Sequence, residues 1–203
     1  TFSIYCTSAL IYLLRKQRDA VGLSLFSDVV NLHTQSKSNA VHHKYLYTEL
    51  EKLLKVASHS SSHTTKVAES LHYLADNIHK RSLVVIFSDM MDNSESADQL
   101  FAALQHLKHN KHEVILFHVT DKSKELNFDF ENRPYKFIDL ETKQEIKLHP
   151  SEVKDYFFKA MTEYNNRLKM KCGQYDINFV EADINMGFKN VLLPYLLKRE
   201  KLY

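Results

Sequence analysis

The sequence predicts an α/β domain in which a doubly wound, mostly parallel sheet carries helices on both faces and a small antiparallel excursion interrupts the alternation. Three observations predict it. Helical and extended patterns alternate along most of the chain, the extended runs are apolar on both faces, and no repeat, low-complexity tract or linker divides the 203 residues. With 44% apolar and 26% charged residues the composition suits one sizeable core, so a single domain over 1–203 is expected.

Taken in order, residues 1–18 are nearly apolar all round until the cations of RKQR, which predicts a helix buried on most sides and closed by charges that suit its C-terminus. AVGLSLF (20–26) and VVNLHT (29–34) read as two strands joined tightly through Ser27 and Asp28, a candidate hairpin. Leu46, Leu50, Leu53, Leu54 and Ala57 mark one face of a helix within 39–57. Val67, Leu71, Leu74 and Ile78 repeat that spacing in the next helix.

LVVIF (83–87) then forms an apolar run without a polar interruption, which predicts an interior parallel strand. Ala97, Leu100, Phe101, Leu104 and Leu107 give another amphipathic helix, and HEVILFHV (112–119) the next strand. Between 122 and 149 the short runs LNFDF, YKFIDL and EIKLH, separated by turn-prone residues, predict a β-rich insertion on one edge of the sheet. A helix through Val153, Phe157, Met161, Tyr164 and Leu168 follows, with Tyr156, Phe157, Met161 and Tyr164 expected in the core. The strand YDINFVEA (175–182) and a helix carrying Val191, Leu192 and Tyr195 close the chain.

Several function classes lose support at once. The 27 Lys and Arg nearly balance the 25 Asp and Glu and are scattered, so no concentrated basic face points to nucleic acid. The apolar start is too short to span a bilayer and has no signal-peptide pattern. Cys6 and Cys172 have no CxxC or Cys/His spacing, which predicts reduced thiols and a cytoplasmic protein. The 12 histidines form no zinc spacing, and the adjacent His42 and His43, or His106 and His109, read as solvated helix faces. No phosphate loop, GxGxxG or nucleophile elbow occurs.

What remains is the end of the strand at 83–88, where Ser88, Asp89 and Asp92 arrive together. In open α/β sheets ligands sit beyond the carboxyl ends of the strands, and a carboxylate there can hold a hard cation such as Mg²⁺ or its water shell. Asp89 can equally satisfy backbone amides, with Asp92 or Ser94 capping the following helix. A second oxygen-rich stretch, SHSSSHTTK (58–66), precedes the helix of Val67, where Thr64 or Thr65 can cap it or reach an ion.

RDAVGLSLFSD (18–28), HTTKVAESLHYLA (63–75), RSLVVIFSDMMD (81–92), HEVILFHVTD (112–121) and above all YKFIDLETKQEIKLHPSEVKDYF (135–157) together resemble the bacterial family called domain of unknown function fifty-eight. The resemblance spans essentially the whole chain, with Lys143 standing where the family usually has a glycine. It implies a von Willebrand factor A-like, Rossmann-type fold and a metal-ion-dependent adhesion site, with a MoxR-type AAA+ ATPase or its client as partner. In that site Asp89 matches the aspartate after the fourth strand and Thr65 the threonine. The Asp-x-Ser-x-Ser loop and the central strand before it are absent from these residues, so the chain is expected to be an N-terminally incomplete fragment that binds Mg²⁺ poorly alone.

The expected function is a non-enzymatic protein-interaction module, Mg²⁺-dependent through Asp89 and Thr65. Two alternatives stand beside it: a metal-dependent hydrolase or phosphotransferase using Asp89 and Asp92, and a metal-free scaffold that binds through the 122–149 excursion.

Overall fold

A run of three parallel strands, β3 (Leu83–Ser88), β4 (Glu113–Thr120) and β7 (Asn178–Asp183), organises the chain in the order β3-β4-β7. The computed structural model describes residues 1–27, 29–55, 67–90, 97–126, 133, 135–138 and 145–200. Registers are unbroken: Leu83 faces Glu113 and Ser88 faces His118, while Ile115 faces Asn178 and Thr120 faces Asp183. Parallel pairing needs a crossover, and α4 (Ala97–His109) supplies it between β3 and β4.

Because successive side chains on a strand point to opposite faces, the apolar runs sort into two cores. Val84, Ile86, Val114 and Leu116 turn to one face, where α3 (Val67–Asn77), α4 and α5 (Pro150–Gln174) cover them with Leu71, Leu104 and Leu168. Val85, Phe87, Ile115 and Phe117 turn to the other, against Cys6 of α1 (Phe2–Gln17) and Val191 and Leu192 of α6 (Phe188–Glu200). Helices thus lie on both faces of the parallel sheet. Phe117 is fully buried, stacked on Phe87 with ring centroids 4.7 Å apart and met edge-on by Tyr195 at 5.2 Å.

The predicted hairpin forms, although shorter than the apolar runs suggest: β1 (Ser24–Phe26) pairs antiparallel with β2 (Val30–His33). Before it, Val21 forms an isolated antiparallel bridge to Lys37, each amide donating to the other's carbonyl oxygen at 3.1 Å. At Gly22 a Cβ would meet the carbonyl oxygen of Thr34 at 2.7 Å, so only glycine fits. A third cluster, built from Ile11, Val21, Leu23, Leu46 and Leu50, packs the hairpin between α1 and α2 (Ala40–Lys55).

With three glycines in the chain, helix ends are closed by other residues. Arg18, Lys111 and Asp176 each adopt a left-handed conformation, at φ 63°, 62° and 55°. Beyond each, an amide reaches back five residues: Asp19 to Leu14, His112 to Leu107 and Ile177 to Cys172, the bond of a Schellman motif.

Four expectations are corrected. Helix α1 is buried on one side only: Cys6 and Ile11 are buried, whereas Tyr5, Tyr12 and Leu13 are exposed. Among the described residues β3 is an edge rather than an interior strand, since it pairs there with β4 alone and Leu83 is 41% exposed; β4 is the strand that has neighbours on both sides among them. On α5, Met161 is buried as expected and Tyr164 packs half-buried against the core, but Tyr156 is 80% exposed, so the aromatic stripe is not core throughout; Leu168 and Cys172 are buried too. The 122–149 insertion opens with a π-helical turn (Lys122–Leu126), and its strands β5 (Tyr135–Ile138) and β6 (Glu145–Leu148) pair antiparallel, among the described residues in a sheet of their own rather than on the edge of the parallel one. Cys6 and Cys172 are free thiols, and burial pushes each up to about 11.

Candidate functional site

Asp89 leaves β3 at its carboxyl end, and its backbone is held from three directions. Ser88 Oγ accepts from the Met90 amide at 3.0 Å, closing the turn locally. From the neighbouring strand, Nε2 of His118 donates to the Asp89 carbonyl oxygen at 2.8 Å. From α5, the Tyr164 hydroxyl donates to the Met90 carbonyl oxygen. Met90 takes a left-handed φ of 52° and is fully buried in the core beneath, which costs about 1–2 kcal/mol in a residue with a Cβ and is maintained by those bonds. The result is an exposed Asp89 on a fixed backbone.

His118 is itself 3% exposed. Burial lowers its pKa below the usual histidine value, against the opposing pull of its bond to Asp89 and the charges of Asp89 and Glu181. A neutral imidazole carrying its proton on Nε2 satisfies the carbonyl it faces.

All three parallel strands end in aspartate: Asp89 after β3, Asp121 after β4 and Asp183 closing β7. Asp121 Oδ1 accepts from the Ser123 hydroxyl at 2.7 Å, the Ser123 amide at 3.1 Å and Asn185 Nδ2 at 2.8 Å, and these bonds, Ser123 first, hold the carboxyl below the usual range. Asp183 Oδ1 accepts from the backbone and side chain of Asn185, both at 3.0 Å, and so caps the 3₁₀ turn at Ile184–Met186. Glu125 Oε2 accepts from the Asp121 amide at 3.2 Å; burial raises its pKa, and the charges of Asp89 and Asp121 add to that. Asp121, Asp183 and Glu125 were missed as strand-end residues by sequence reasoning. The recurrence of Asp after FS, HVT and VEA was the available signal.

Beside this row lies a cavity of about 2060 Å³ between the β1–β2 hairpin and β3. Leu10, Phe26, Leu71, Val85 and Phe87 give it an apolar lining, and Asp89 and Glu125 stand on it too. Small-molecule sites run to about 300–1,000 Å³, so one such ligand would fill only part of this space.

Of the predicted metal ligands, Asp89 sits where the sequence placed it. Thr65 and its neighbour Thr64 lie outside the described residues, as do Asp92, Ser94, His59 and His63. His42 bonds the Val21 carbonyl through Nε2 at 2.9 Å, and His43 is buried rather than solvated. A Mg²⁺ ion needs several hard oxygen donors. Among the described residues no group of three His, Cys, Asp or Glu is placed to hold a metal, and Asp121 and Asp183 are committed to local amides; these residues alone do not make a Mg²⁺ site. Among the described residues no helix is long and apolar enough to cross a membrane.

A family model described as protein of unknown function DUF58 matches residues 2–166. The match ends inside α5, before β7, although β7 completes the same sheet. No curated protein and no solved structure matches the chain.

Proposed function

As a member of the DUF58 family, to which the chain belongs through residues 2–166, this protein, we propose, is a non-enzymatic interaction module that presents the carboxyl ends of β3 and β4 to a protein partner. The observation that carries the reading is the clamp on Asp89: Ser88, His118 and Tyr164 fix the backbone of Ser88–Met90 while Asp89 itself stays exposed. A carboxylate on a preordered backbone loses little conformational entropy when a partner engages it.

The resemblance to von Willebrand factor A-like domains extends the proposal. A MoxR-type AAA+ ATPase or its client is the partner, and Mg²⁺ contributes only once oxygen donors beyond the described residues join Asp89, Thr65 being the candidate within this chain. The cavity between β1 and β3 suits a further strand, since paired strands lie about 4.8 Å apart and the edge of β3 that is unpaired among the described residues offers six residues of backbone. Such a strand would carry the Asp-x-Ser-x-Ser loop to the same end of the sheet as Asp89. This chain's own residues hold the turn, present the carboxylate and line the cavity.

One observation favours a metal-free scaffold as second reading: β5 and β6 form an independent antiparallel pair, unattached to the main sheet among the described residues. Asp92, which a hydrolase reading requires, lies outside the described residues, and that reading gains no observation.

The test is binding of a MoxR-type ATPase by the protein and by Asp89→Ala, in Mg²⁺ and in EDTA. Binding should fall at least tenfold in the variant while its thermal midpoint stays unchanged. Equal binding in all four conditions overturns the strand-end site, and loss on trimming 127–144 instead moves the function to the β5–β6 hairpin.

A further inference from the structure

Away from the strand ends, α3 and α4 bring two imidazoles face to face. Nδ1 of His72 lies 3.1 Å from Nδ1 of His106, with ring centroids 5.3 Å apart and planes inclined at 45°. The other nitrogen of His106, Nε2, lies 3.2 Å from Oδ1 of Asp76, one helical turn after His72 on α3. The residues are 34 apart in sequence, so the spacing rules applied to neighbouring histidines do not reveal the pair.

The chemistry of this trio is specific. A carboxylate only accepts, so Asp76 keeps a proton on His106 Nε2 and leaves Nδ1 with a lone pair directed at His72. Without a ligand, His72 donates into that lone pair from its own Nδ1. When the His72 proton resides on Nε2 instead, both Nδ1 atoms carry a lone pair, 3.1 Å apart. Zinc binds imidazole nitrogen at about 2.0–2.1 Å, and two such nitrogens 3.1 Å apart subtend about 100° at the metal, between the square-planar and tetrahedral angles. A carboxylate on the far nitrogen is the usual outer partner of a metal-bound histidine, because it fixes the tautomer and raises the ligand's basicity.

We propose that His72 and His106 form a two-imidazole clip for a divalent transition metal, zinc or copper, with Asp76 as its outer carboxylate. The clip pins α3 to α4, and since the His106 side chain is 29% exposed the remaining coordination positions open to water or to a donor from a partner. Nitrogen donors select against Mg²⁺, so the clip is chemically separate from any ion at Asp89.

The experiment is calorimetric titration of Zn²⁺ and of Cu²⁺ into the 203-residue chain, with imidazole ¹H–¹⁵N correlation spectra recorded on the same samples. One saturable site should disappear in His72→Gln and in His106→Gln, weaken about tenfold in Asp76→Asn, and persist in Asp89→Ala. The imidazole signals of His72 and His106 should move together at the first equivalent of metal. Thermal melts without metal confirm that each variant is folded; a variant that is not is replaced by His72→Asn or His106→Asn. Unchanged isotherms in both histidine variants, or no saturable binding by the folded chain, overturn the proposal. Loss of the site in Asp89→Ala would overturn its separation from the strand ends.

Discussion

His118 on β4 and Asp89 at the end of β3 are tied by a bond from imidazole Nε2 to carbonyl oxygen, 2.8 Å long and shielded from water by the burial of the ring. A side chain on one strand thereby fixes where the next strand ends.

Removing either strut of this clamp should loosen the turn before it unfolds the domain. His118→Phe leaves a carbonyl without its donor, expected to cost about 1–3 kcal/mol, and Tyr164→Phe about 1 kcal/mol at its half-buried position. Urea unfolding measures both. Because the two residues restrain adjacent peptides, the double variant should cost less than the sum; strict additivity would show that they act independently.

Acid should weaken the fold in a defined window. Burial is the leading cause that lowers both His118 and His112 below the usual histidine value of 6.5, and the Ser82 amide donates to Nδ1 of His112 at 3.2 Å, a bond that a proton on Nδ1 would abolish. Each folded pKa lies under the unfolded one, so the unfolded chain takes up protons first. Stability is therefore full above pH 6.5 and declines as pH falls from there through the folded pKa values. Denaturant midpoints between pH 8 and pH 5 should show this decline, and it should flatten in His112→Gln, where the group no longer titrates.

The left-handed closure of α4 at Lys111 invites a stabilising change. Its φ of 62° strains a residue with a Cβ, and its side chain is exposed. Lys111→Gly should raise stability by about 0.5–1 kcal/mol, the relief of left-handed strain exceeding glycine's extra entropy in the unfolded chain. A lower thermal midpoint would show that the lysine stem contributes packing worth more than the strain it causes.

Element type was legible wherever a period of 3.6 or a β-branched run was long: α3, α4, β3 and β4 stand where Leu71, Leu104, Val85 and Ile115 predict them. Placement within the sheet was less so. LVVIFS and EVILFHV look alike as strings, yet among the described residues only β4 has strands on both sides, because neighbours are chosen by crossovers rather than by the strand itself. Tyr156 and Tyr164 share an α5 stripe, yet Tyr164 packs on the core and reaches the Met90 carbonyl while Tyr156 is exposed. For the site, Asp89 was visible as a charge ending an apolar run. His118 was not, since nothing in its own strand marks it as the partner of a backbone carbonyl 29 residues away.

The exposed flank of β3 bears on how the chain behaves in concentrated solution. Leu83–Ser88 is a stretch of about 20 Å without charge or proline, the composition from which edge-to-edge aggregation and fibrils start. Lys80 and Arg81 stand before it, separated from it by Ser82 alone, and Asp89 immediately after. Opposite charges at its two ends act as gatekeepers: a parallel, in-register stack of such strands would place Asp89 on Asp89 and Arg81 on Arg81 at every layer. The aspartate that ends the strand thus also keeps copies of it apart.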